Sequence, residues 1–313
     1  SFPKGGGACH SYGIPKLQGR GRTYANEPSG LEIEGFGGFS HGSGGYGVSC
    51  FFKFEDISCM KYAIKIAYDG RAFSGWQKQP GRTTVQESVE KALTAFCHED
   101  VSVHGAGRTD KGVHALGQVA SFELKYPLPL ETIISAGNAH LPDQIRLMEA
   151  AHVDDSFHAR YSALWREYVY HVWTGASCYP HIRNYVWWKR RADWDMEKVR
   201  SACRKFTGTH DFRAFCRASE CPPNAVRDIA RMTVAKRGPL IRFRIRGKAF
   251  LTNMVRIMIG TTDHIAAGDC SLEFLDYLLR GAHREEGGPT APAQGLILQK
   301  IGYDVPLWPS VGS

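Results

Sequence analysis

Gly105-Ala106-Gly107-Arg108-Thr109-Asp110-Lys111-Gly112-Val113-His114-Ala115-Leu116-Gly117 sets four glycines around an arginine, an aspartate and a lysine. Glycine permits positive φ and close backbone approach, so the stretch reads as a loop. Alternating apolar residues on both sides, Val101 and Val103 before it and Ala120, Phe122 and Leu124 after it, place that loop between two strands at a sheet end. Gly107-x4-Gly112 has the spacing that opens a P-loop, but Val113 and His114 stand where Lys and Ser/Thr must meet phosphate and magnesium. Gly105-x-Gly107 lacks the third glycine and the opening helix of a dinucleotide fingerprint. Asp110 is then either a turn residue bonding its own loop or a carboxylate kept for chemistry.

Two distant stretches bear on that choice. Arg256 lies within Phe250–Ile259, a segment otherwise largely apolar. An arginine there cannot shed its charge, so it either reaches out to solvent or takes a carboxylate partner. If Asp110 is that partner, the pair holds the carboxylate ionised, the form a nucleophile requires. In Leu240–Arg246 a period of two turns Ile241, Phe243 and Ile245 to the core and sets Arg242, Arg244 and Arg246 in one row. Such a row suits a phosphate backbone, or it is a solvated face paired with acids on a neighbouring strand. His210-Asp211 does not read as a hydrolytic dyad, because adjacent side chains of extended backbone point apart; a structural role after the helix closed by Gly208 is expected.

Working outward, Tyr62, Ile64, Ile66 and Tyr68 alternate as a strand, and Thr84 with Glu87 forms a capping box ahead of Val85, Val89, Ala92 and Phe96 on one helical face. A helix is expected from Leu130 to Ala139, a strand over 165–173 and a helix carrying Met196, Val199, Cys203 and Phe206. Strands over about 226–236 and 240–247, two further helices and a strand from Leu296 to Ile301 complete the pattern. Strands joined by short turns with helices between sets predict an α+β architecture, largely antiparallel sheet flanked by helices. The pattern repeats, with a division near residue 160: an N-terminal α+β domain over 60–160 carrying the Asp110 loop, a C-terminal α+β domain over 161–305, and a tail over 306–313.

Residues 1–59 hold more than a third of the 34 glycines of this 313-residue chain and read as a glycine-rich leader, disordered or not native, with Met60 the expected start of the folded part. A targeting segment and a disordered RNA-contacting tail are the alternatives. Glu27, Glu32, Glu34, Glu55 and Asp56 argue against a transit peptide, which is poor in acids. A net charge of +8 favours a polyanionic partner. No apolar run approaches the about 20 residues of a bilayer span, so a soluble protein without membrane association is expected. Nine cysteines include no C-x-x-C pair, and Cys216 with Cys221, the closest two, have no second cluster beside them. Neither structural zinc nor disulfides are expected, and the thiols point to a reducing compartment.

Taken together, these residues resemble the TruA family of tRNA pseudouridine synthases. Gly107-Arg108-Thr109-Asp110-Lys111-Gly112-Val113-His114-Ala115-Leu116-Gly117-Gln118 is similar to its catalytic loop, and Tyr68-Asp69-Gly70 with Gly75-Trp76-Gln77 to its first strand and turn. The likeness runs on through Leu141-Pro142, Phe157-His158-Ala159-Arg160, Arg166-Glu167-Tyr168-Val169-Tyr170, Gly208-Thr209-His210-Asp211-Phe212, Phe250–Arg256 and Ala291–Leu296, covering roughly residues 60–303 in order. Two places depart from it: Lys111 stands where many bacterial members have alanine, and Thr261-Thr262-Asp263-His264 is polar where relatives are apolar.

The resemblance implies Asp110 as nucleophile, Arg256 as its partner, Tyr168 against the target base, Arg108 filling the gap left by the extruded nucleotide and Leu296 lining the base pocket. Tyr168 and Tyr170 share a strand face, so periodicity does not choose between them; the Arg-x-Tyr spacing from Arg166 favours Tyr168. Isomerising uridine moves the sugar bond from N1 to C5 without redox change, so neither metal nor organic cofactor is expected. The resemblance further implies tRNA as partner, the anticodon stem-loop at roughly positions 38 to 40 as target, a homodimer, and a cytoplasmic location, or an organelle interior if residues 1–59 are a targeting segment. A silent tRNA-binding protein and a metal-dependent nuclease are the rivals; the first needs no such trio as Asp110, Tyr168 and Arg256, and the second lacks a carboxylate cluster.

Overall fold

The computed structural model describes residues 59–308. The leader expectation for 1–58 and the end of the tail, 309–313, lie outside the described residues. The elements are β1 Met60–Tyr68, α1 Val85–Cys97, β2 His104–Gly105, β3 His114–Leu124, α2 Leu130–His140, β4 Ile145–His152, β5 Trp165–Trp173, β6 Trp187–Trp188, α3 Met196–Phe206, β7 Gly208–Asp211, β8 Val226–Ile229, β9 Arg231–Arg237, β10 Leu240–Gly247, α4 Met254–Ala267, α5 Leu272–Leu278 and β11 Leu296–Gly302.

One nine-stranded sheet runs β4-β1-β3-β11-β5-β10-β9, with β2 added to β3 and β6 to β5, and β7 and β8 form a separate pair. Only the β11–β3 and β5–β6 pairings are parallel, so the architecture is the largely antiparallel α+β one. The alternation written in β1 is realised: Tyr62, Ile64, Ile66 and Tyr68 are buried. Thr84 caps α1 by accepting the Glu87 amide. The halves on either side of residue 160 share this sheet, because β11 from the far end of the chain lies between β3 and β5, and residues 59–308 fall in one compact unit.

Three local differences from the sequence reading have physical causes. Val101 and Val103 are buried but do not pair as a strand; their amides go to side chains of α1, Thr94 Oγ1 at 3.1 Å and Glu90 Oε1 at 3.2 Å, leaving only β2 on the sheet. The strand expected over 226–236 breaks at Ala230, where β8 leaves to pair with β7 while β9 stays on β10. β4, which the sequence reading did not assign, is an edge strand whose alternation fades after Leu147.

The polar stretch of α4 is internally satisfied. Asp263 accepts from Trp194 Nε1 at 3.0 Å and Lys189 Nζ at 2.7 Å, Thr262 donates to the Met258 carbonyl at 2.8 Å and Thr261 accepts the Gly288 amide at 3.2 Å. These residues are buried with partners, which is what makes polar groups tolerable there. His210 binds the Thr207 carbonyl and Asp211 the Arg213 amide, both local structural bonds beyond α3.

Candidate active site

The loop between β2 and β3 is tied down along its length. Gly107 accepts from Gln118 Nε2 at 2.7 Å, the Thr109 carbonyl accepts the Trp76 amide at 3.1 Å, and Val113 N–H donates to the Asp110 carbonyl at 3.1 Å. The Thr109 hydroxyl shares a 2.7 Å bond with the buried Tyr68 hydroxyl. Two glycines are dictated by close approach: a Cβ on Gly105 would overlap the Trp76 indole, and Gly75, at φ 99°, leaves the Thr109 carbonyl where a Cβ would come within 2.6 Å. Asp110 is thus presented from a fixed backbone.

Behind the loop, His114 Nδ1 accepts the Gly70 amide at 3.2 Å and lies 3.3 Å from Asp69. Burial holds the His114 ring below its ordinary range against the pull of Asp69, which fits a neutral ring with Nδ1 as acceptor. Burial alone would raise Asp69, but bonds from Arg71 and Tyr185 pull its carboxyl down to about 2.

Arg256, in the first turn of α4, lies with Nη1 3.3 Å from Asp110 Oδ2. Its guanidinium is aimed by the Ala291 carbonyl at 2.8 Å and Asn253 Oδ1 at 2.7 Å, and its side chain is only 17% exposed, so it does not reach out to solvent. Burial raises the Asp110 carboxyl, the attraction of Arg256 offsets only part of that, Glu220 adds to the rise and Arg217 opposes it, leaving the group above its ordinary range.

Tyr168 stands on β5 between Ile245 of β10 and Leu298 of β11. Its ring meets Phe250 edge-on at 5.1 Å, and burial, then the Asp110 charge, raise its phenol. Tyr170 commits its hydroxyl to the Pro292 carbonyl at 2.8 Å. Of the two, Tyr168 lines the cleft, a cavity of about 810 Å³ that also takes in Asp110, Arg108 and Leu296. Arg108 is exposed at its wall, and Leu296 is 5% exposed.

Arg242, Arg244 and Arg246 are not brought to this cleft. They share the opposite sheet face with Glu167, which takes Arg246 Nη2 at 2.8 Å and has Arg244 Nε at 3.7 Å; Arg246 also lies over the Trp165 ring at 4.1 Å. The cationic lining comes instead from Arg108, Arg160, Arg166, Arg227 and Lys248.

Arg166 is the organising residue whose role the sequence did not disclose. Its guanidinium donates to the carbonyls of Ala106, Arg160, Ala163 and Lys248 at 2.6 to 3.3 Å, joining the loop to the β4–β5 connection and to the segment after β10. It has no carboxylate partner among the described residues, and burial lowers its pKa. The Arg-x-Tyr spacing was its sole signal. Among the described residues no group of three or more His, Cys, Asp or Glu is placed to hold a metal ion, and no helix is long and apolar enough to cross a membrane.

A fixed aspartate against a half-buried arginine shares a cation-lined cleft with a tyrosine, and the charge of that lining suits a polyanionic partner. A family model described as tRNA pseudouridine synthase matches residues 64–162 and 202–304. Similar proteins named tRNA pseudouridine synthase A include those of Clostridium kluyveri, 40% identical over 77% of this chain and 98% of the relative, and Shouchella clausii, 40% identical over 79% and 95%. That of Geobacillus kaustophilus is 42% identical over 80% of this chain and 95% of the relative. The chain belongs to the tRNA pseudouridine synthase family, whose members are isomerases.

Proposed function

We propose that the protein isomerises uridine to pseudouridine in the anticodon stem-loop of tRNA, at roughly positions 38 to 40, with Asp110 as nucleophile. The target atoms are out of reach in a stacked helix, so the nucleotide is extruded into the cleft, Arg108 filling the gap it leaves. The bond from ribose C1′ to N1 breaks, the base turns in place, C5 bonds to C1′, the C5 proton departs and N1 takes up a proton, so atoms balance and nothing is oxidised or reduced. Asp110 supplies the attacking carboxylate and is released as the product forms, Arg256 fixes its orientation, and Tyr168 stacks on the base and relays the C5 proton, giving up its own hydroxyl proton as it takes that one. Leu296, with the ring of Phe250, keeps the loose base from solvent.

The observation that carries this reading is the 3.3 Å approach of Arg256 to Asp110 in the same cleft as Tyr168. The proposal extends to a homodimer, one RNA touching both subunits, and to a cytoplasmic setting. In it the arginine row of β10 is an outer contact to the RNA backbone. Carbodiimide modification and primer extension on unmodified transcript test the target: new stops are expected at uridines of the anticodon stem-loop after incubation with the protein. Stops confined to another arm of the tRNA would contradict that assignment.

A further inference from the structure

The connection from β4 to β5 carries an aromatic arrangement that the reaction does not use. His158 and Tyr161 face each other with ring centres 4.4 Å apart, His104 of β2 lies 5.2 Å from His158, and the Arg160 guanidinium sits 5.7 Å over the Tyr161 ring. All four line the same cleft as Asp110. Tyr161 is 77% exposed, the most exposed of the large hydrophobic side chains among the described residues.

The turn that presents it is held firmly. Ser162 bonds His158 both ways, through its amide to the His158 carbonyl at 2.9 Å and through its hydroxyl from the His158 amide at 3.0 Å. The Arg160 amide donates to His158 Nδ1 at 3.1 Å, the Ala159 amide to Ser121 Oγ at 3.2 Å, and the Ala159 carbonyl accepts the Tyr303 hydroxyl at 2.7 Å. Arg166 fastens the Arg160 carbonyl at 2.6 Å. A large aromatic face left bare on a rigid turn, backed by two rings, is a surface that gains by stacking. Burial, and then neighbouring His104, hold His158 below its ordinary range.

The charge around it selects the partner. The cleft walls hold Arg108, Arg160, Arg166, Arg227 and Lys248 against Asp110 and Glu220. Aromatic faces within a cationic groove are how proteins hold unpaired nucleotides, stacking the base while cations follow the phosphates. We infer that Tyr161, backed by His158 and His104, stacks on an unpaired nucleobase of the RNA beside the extruded uridine, a second base site in the same cleft. This inference rests on the reading of the cleft as the tRNA site.

The test uses the full chain and unmodified tRNA transcripts in which 2-aminopurine replaces single anticodon-loop positions, one at a time. Wild type is expected to quench the probe at one position near the target, and Tyr161→Ala to lose that quench and bind roughly 5- to 100-fold more weakly. Tyr161→Phe, which keeps the ring, is expected to restore both. In tritium-release assays the same loss should fall on KM with little change in kcat. No quenched position in wild type, binding by Tyr161→Ala within twofold of wild type, or equal impairment of both variants would overturn the inference. A smaller assembly for Tyr161→Ala in sedimentation would overturn it too, by making the ring a contact between subunits. Failure of the isomerase reading looks different: wild type then releases no tritium, whatever the probe reports.

Discussion

At the scale of single residues the account turns on the Asp110 carboxyl, where burial and Arg256 act in opposite directions and burial prevails. Removing the guanidinium takes away the main influence that lowers this group. Arg256→Met is therefore expected to shift the acid limb of the kcat/KM profile to higher pH and to reduce turnover near neutrality about 100-fold or more. A pH–rate profile checks this; an unmoved acid limb would mean that Arg256 does not set the ionisation of Asp110. Asp110 and Arg256 were legible in the sequence because each stands in a background that does not explain it, a carboxylate among glycines and a guanidinium among apolar residues. Arg166 was not legible in this way. Its partners are four backbone carbonyls, those of Ala106 and Lys248 from distant segments, and a carbonyl leaves no mark in a sequence.

Elements position the site through contacts made where side chains are missing. Gly105 of β2 accepts the Trp76 ring against its backbone, and a Cβ there would overlap the indole. Gly105→Ala is expected to cost about 1–3 kcal/mol of stability and to impair turnover by displacing the start of the Asp110 loop; thermal unfolding beside a rate measurement checks both. Helices and most strands were legible from periodicity, since alternation in β1 and the cap at Thr84 are local signals. The failures share a cause. Around Val101 and Val103 alternation reflected burial under α1, whose Glu90 and Thr94 took the amides that a neighbouring strand would have taken. At Ala230 a run with strand composition changed partner, and composition does not record partners. At Asp263 a carboxylate looked misplaced in an apolar helix until Lys189 and Trp194, brought by another segment, supplied its bonds.

For the whole molecule the informative quantity is where positive charge sits. The net charge of +8 was legible, its distribution only in part. The arginine row of β10 was read correctly as a row, yet Glu167 on the adjoining strand engages two of its members, while the cleft draws its cations from strands and loops scattered through the chain. Arg227→Ala with Lys248→Ala is expected to weaken tRNA binding and to reduce the slope of log K against log salt by roughly 1.5 to 2. Arg242→Ala with Arg244→Ala gives the companion measurement: a flattened slope assigns the row to RNA, and an unchanged slope makes it a paired sheet face. Strand order was equally hidden, because β11 enters between β3 and β5 from the far end of the chain and no local pattern announces that insertion. The most direct test of the central claim is tritium release from C5-labelled uridine in unmodified tRNA, measured for the native chain and for Asp110→Ala. The account predicts release by the native chain and none above background by the variant, with tRNA binding retained. Equal release by both would contradict Asp110 as the nucleophile.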